Sequence, residues 1–75
     1  MARRLSISGF ECDCGHQSLF GIGTVREMKA DSLRRRKTME LWDSSHEDHA
    51  VEFVGGQAVA MICPKLGRCK IGPFE

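Results

Sequence analysis

No stretch of this sequence approaches the ~20 consecutive apolar residues that cross a membrane as a helix, so no membrane role is expected. It contains no tyrosine and two prolines. Its aromatic residues are Phe10, Phe20, Trp42, Phe53 and Phe74. So few large side chains allow only a thin core. Charge of one sign is also missing: Lys and Arg number 11 against 10 Asp and Glu, for a formal charge of +1. Global charge therefore singles out no class of partner. There is no internal repeat, no low-complexity tract, no phosphate-binding glycine loop with a lysine and no hydrolase motif. These absences predict a protein that is not an enzyme. A secretion signal is not visible either. Met1-Ala2-Arg3-Arg4 is basic, but Leu5 to Phe10 is too short and too polar for a signal peptide's apolar region. The chain is expected to be cytoplasmic, in a reducing compartment where cysteines favour metal over disulfides.

What the chain does have is four cysteines and eight glycines in 75 residues, the length of one domain spanning residues 1–75. At this size a core alone contributes only a few kcal/mol of net stability. The expected fold is mainly β: a small antiparallel sheet with the metal at one end, and room for one short helix near residues 31-41. The clearest element is a hairpin. Ala50-Val51-Glu52-Phe53-Val54 and Ala58-Val59-Ala60-Met61-Ile62 flank Gly55-Gly56-Gln57. A three-residue loop would pair Val54 with Ala58 and gather Val51, Phe53, Val59 and Met61 on one face, with Cys63 continuing that parity. This register is preferred over a Gly-Gly loop because it concentrates the large side chains. A first strand is expected from Leu5 to Cys12, with a bulge at Gly9, and a second from Leu19 to Met28. Between Ala30 and Trp42 two readings compete. Asp31 or Ser32 can cap a helix, but Arg34-Arg35-Arg36-Lys37 wraps its surface. A turn at Ala30 to Leu33 followed by a strand is favoured.

The chemistry sits at Cys12-Asp13-Cys14-Gly15-His16 and Cys63-Pro64-Lys65-Leu66-Gly67-Arg68-Cys69. A structural Zn²⁺ takes four soft or borderline ligands in a tetrahedron. Each cysteine pair supplies half of it, so one Zn²⁺ on Cys12, Cys14, Cys63 and Cys69 is the expected site. Free cysteines or two disulfides are the alternatives, and a Cys12–Cys14 bridge would be strained. His16 could replace a cysteine ligand, and His46 and His49 share a His-x-x-His spacing, but a polar knuckle residue and solvated loop histidines are the favoured readings. The Cys-x-Cys-Gly segment and the later Cys-Pro step resemble the two knuckles of zinc-ribbon proteins, with shorter and longer cysteine spacings respectively. That resemblance implies a small β domain with a structural zinc.

Two classes of partner follow. Arg34, Arg35, Arg36 and Lys37 form a dense basic run suited to phosphates. Arg3, Arg4 and Arg26 add to it, and Trp42 could stack on a base. The competing reading is a solvated charged segment with Trp42 in the core, followed by Asp43, Glu47, Asp48 and Glu52. Alternatively, the apolar faces of the hairpin suit a protein partner, including a second copy of this chain.

Overall fold

The computed structural model describes residues 2–43 and 49–71. It is mainly β, with two antiparallel sheets and one helix. The run read as a single strand from Leu5 to Cys12 is instead the body of a hairpin. β1 (Arg3–Arg4) pairs with β2 (Gly9–Glu11), Arg3 standing opposite Glu11. The Gly9 carbonyl closes the reversal by accepting from the Leu5 N–H at 2.8 Å and the Ser6 N–H at 3.2 Å. Gly9 suits this close approach: a Cβ there would lie 2.9 Å from Leu19 Cδ2 and Ser6 Oγ, and both side-chain ends would have to move aside. β3 (Gln17–Leu19) pairs with the other side of β2, giving the order β1-β2-β3.

The strand expected from Leu19 to Met28 does not form; α1 (Ile22–Arg35) occupies that stretch. The helix opens at Gly21, whose carbonyl accepts the Val25 N–H at 3.1 Å. Its buried stripe is Val25, Met28 and Ser32, with Met28 partly covered. That spacing is helical, but only two of its members are apolar. Ile22 and Leu33, the other large apolar residues of α1, face solvent. The favoured turn at Ala30 to Leu33 is likewise helix, and the foreseen helix near 31-41 overlaps α1 only from Asp31 to Arg35. The strand after it does form, as β4 (Met39–Trp42).

The second sheet has the order β4-β5-β6-β7, with β5 at Ala50–Val54, β6 at Gln57–Cys63 and β7 at Gly67–Lys70. At its tip the hairpin uses the two-residue loop, with Val54 opposite Gln57. Gly55 and Gly56 have φ of 59° and 84°, the left-handed pair that matches strand twist. A bulge between Glu52 and Phe53 then shifts the pairing by one, so Glu52 faces Ala60 and Val51 faces Met61. Beyond the bulge the register is the one expected for the longer loop. Val51, Phe53, Met61 and Cys63 are all buried, while Ala58 takes the core place foreseen for Val59.

Phe10 joins the sheets. Its ring lies 6.3 Å from Phe20 and 6.4 Å from Phe53, edge-on to the latter at 88°, a favourable aromatic geometry. Ala2 and Ile71 form a parallel bridge alongside. Helix and hairpin tip are joined by Ser32, which donates from Oγ to the Lys29 carbonyl and accepts the Gly56 N–H, both at 2.9 Å. Ser32→Ala leaves that amide without its acceptor. It is expected to lower stability by about 1–3 kcal/mol, seen as a reduced urea midpoint at unchanged slope.

Candidate metal centre

The first knuckle is the turn between β2 and β3. Cys12 N–H donates to the His16 carbonyl at 2.8 Å, and Gly15 N–H donates to the Cys12 carbonyl at 2.9 Å. Gly15 has φ of 95°, which a side chain would oppose. The β2–β3 register, continued past Glu11 and Gln17, sets Cys12 opposite His16. Cys14 sits at the turn and is exposed, while Cys12 is buried.

The second sheet meets this knuckle with a row of three residues. Pairing continued past Ala50 and Ile62 sets His49 opposite Cys63. Continued past Trp42 and Ala50, it sets Asp43 opposite His49, and Asp43 N–H donates to the His49 carbonyl at 2.8 Å. Directly opposed residues share a sheet face. Asp43, His49 and Cys63 are all buried.

Sheet against sheet, Cys12, Cys14, His49 and Cys63 bring three sulfurs and one ring nitrogen within 4.8 Å of one another. Sulfur ligands at about 2.3 Å and imidazole at about 2.0–2.1 Å give tetrahedral edges of about 3.6–3.8 Å. Cys14 Sγ and His49 Nε2 are 3.4 Å apart. The group is thus close enough to hold one metal ion, and its donor set is zinc-site-like.

Thiol electrostatics point the same way. Burial, the largest cause, pushes the Cys12 thiol up to about 12; the Cys14 backbone N–H opposes the rise, while the side chains of Cys14 and Cys63 and the charge of Cys14 add to it. The Cys14 thiol is drawn down to about 6, first by the backbone N–H of His16 and then by His49. A metal binding here must displace the Cys12 proton, and its positive charge then offsets the cost of burying the thiolate.

The structure gathers three of the four expected cysteines and places the fourth elsewhere. Cys69 lies on β7 opposite Met61, two residues inward from the Cys63–Gly67 pair. It is on the same face as Cys63 but about 7 Å along the strand, and it belongs to the core cluster. Its long contact from Sγ to the Gly67 carbonyl is 3.9 Å. His49 completes the group instead. The signal for it was the hairpin register, which sets His49 opposite Cys63. His16 lies beside the group, with Nε2 2.9 Å from Asp43 Oδ2 and its ring 4.2 Å from that of His49. His46 falls outside the described residues.

Arg34, Arg35, Arg36 and Lys37 are exposed at the C-terminal end of α1. Through Ser32 and Gly56 that end adjoins the hairpin tip, whereas the Cys/His group stands at the opposite end of β6. Trp42 is 48% exposed, outside the core, and its partner Ala50 places it at the metal end. It therefore does not share a surface end with the basic run. Among the described residues no helix is long and apolar enough to cross a membrane.

Compared with protein-family models, curated proteins and solved structures, the chain matches none. The likeness to zinc ribbons therefore extends to the type of site and not to a family. The choice of fourth ligand can be checked directly. His49→Ala and Cys63→Ser are expected to weaken metal binding at least about 100-fold, while Cys69→Ser leaves affinity within a few-fold, measured by chelator competition.

Proposed function

We propose that this chain is a small zinc-stabilised binding module of the cytoplasm, without catalytic activity, whose partner is nucleic acid. The observation that carries the reading is the Cys12–Cys14–His49–Cys63 group at the junction of the two sheets. Three thiolates with an imidazole in a tetrahedron suit zinc among the available divalent ions. Four protein donors leave no coordination position for a substrate, which favours a structural ion over a catalytic one. Zinc supplies there a positive charge and four directed bonds that hold the sheets together.

The nucleic-acid part rests on Arg34 to Lys37. A helix C-terminus favours cations for its own sake, and Arg34 pairs with Asp31. Among the described residues, however, Arg35, Arg36 and Lys37 have no acidic partner and all three are exposed. Three unneutralised cations in a row on a nearly neutral chain suit phosphate contact.

Native mass spectrometry is expected to show one Zn²⁺ per chain, and chelation to abolish both the ion and the folded near-UV circular dichroism signal. A chain that remains folded without metal contradicts the zinc part. For the partner, mixed-sequence RNA or DNA is expected to give a mobility shift that weakens steeply between 50 and 200 mM salt. Replacing Arg35, Arg36 and Lys37 together with Gln is expected to remove it.

A second reading, a protein adaptor, draws on Leu5, Ile7 and Leu19, which are exposed. Leu5 and Leu19 both border Gly9. No shift at low salt, together with self-association on sedimentation, decides for that reading.

A further inference from the structure

His49 differs from the other three members of the metal group in how it is held. Cys12 and Cys14 lie within a hydrogen-bonded knuckle, and Cys63 ends a strand paired on both sides. His49 stands one residue ahead of β5. Among the described residues outside the group, Asp43 and His16 both contact it. Asp43 N–H donates to the His49 carbonyl at 2.8 Å, which fixes the His49 backbone. The His16 ring lies against the His49 ring, with centroids 4.2 Å apart and planes inclined by 31°. His16 Nε2 and Asp43 Oδ2 are 2.9 Å apart. The three contacts close a circuit: Asp43 holds the His49 main chain, His16 backs the His49 ring, and Asp43 holds His16.

The circuit crosses between the sheets. His16 comes from the first knuckle, opposite Cys12, and Asp43 follows β4 of the second sheet. Asp43 is only 4% exposed, and a carboxylate so buried is costly without a partner. The Asp43 carboxylate thus holds a knuckle residue, while its main-chain N–H, which any residue but proline would supply, holds the strand bearing His49. Groups behind a ligating imidazole fix its orientation and commonly alter metal affinity 10- to 100-fold.

We infer that Asp43 and His16 are positioning residues of the metal centre, together holding His49 Nε2 toward the three thiols. This rests on the metal reading above and names the residues that make its nitrogen ligand available.

The test uses the full chain with Co²⁺ as probe, because its visible bands report ligand set and geometry. Asp43→Ala is expected to weaken Co²⁺ binding about 10- to 100-fold and to alter the ligand-field bands as His49 leaves. His16→Phe, which keeps a flat ring but loses the nitrogen, is expected to give a smaller loss in the same direction. Asp43→Asn keeps an oxygen acceptor for His16 and is expected to restore affinity to within a few-fold of the parent. Asn and Phe at these positions preserve shape, so they remain informative where the alanine variant does not fold. A merely structural role would lower the melting temperature and leave bands and affinity unmoved. That result in Asp43→Ala, or in His16→Phe if the alanine variant does not fold, overturns the inference. A parent protein that takes up no Co²⁺ or Zn²⁺ overturns the metal reading itself, and the inference with it.

Discussion

Three sulfurs and an imidazole nitrogen cannot share a space of a few ångström unless something positive lies among them, either protons or a cation. The rest of this structure depends on that constraint. Burial holds the Cys12 thiol up at about 12, so without metal it keeps its proton. Cys14, at the exposed turn, ionises far more readily. The metal-free group is therefore an unequal set of thiols pressed together by the fold, and one divalent ion answers the needs of all of them. Among the described residues of this 75-residue chain, the sheets also meet through the Ala2–Ile71 bridge and the His16–Asp43 contact. Phe10 against Phe53 joins them through the core, and the Cys/His group joins them at the end of the second sheet.

Much of this could be read from the sequence because antiparallel register is arithmetic. The Gly55-Gly56 signal gave the hairpin, and the wish to bury Val51, Phe53 and Met61 together gave its pairing. The chain reaches that pairing by a different route, a tight two-glycine turn followed by a bulge. The outcome beyond the bulge is the same. Carried two steps past Val51 and Met61, that register sets His49 opposite Cys63, so the fourth member of the metal group was implied by the strand pairing. Reading cysteines as two local pairs obscured it. Cys69 is six residues from Cys63, but the chain turns back between them, and the return strand carries Cys69 inward to pack beside Met61.

The helix was harder to see for a specific reason. An amphipathic helix announces itself through repeated large apolar residues, and α1 buries Val25 and partly covers Met28 before its third inward position becomes Ser32. That serine does its work through hydrogen bonds to Lys29 and Gly56, which no hydrophobic pattern registers. Phe20, Ile22 and Thr24 meanwhile alternate like a strand. The first hairpin was hidden in a similar way: its β1 has two residues, and Gly9 marks a close approach to Leu19 where a bulge was expected.

The uneven burial of the metal group gives it a front and a back. Cys12, Cys63 and His49 are enclosed, and Cys14 alone lies open to solvent. An incoming chelator, competing ion or acceptor thiol therefore meets Cys14 first. Were a metal bound, its affinity would draw on all four donors, whereas exchange with solution would begin at the one exposed sulfur. In such a centre affinity and access would be separated in space, and a group covering Cys14 would slow exchange without touching the enclosed donors.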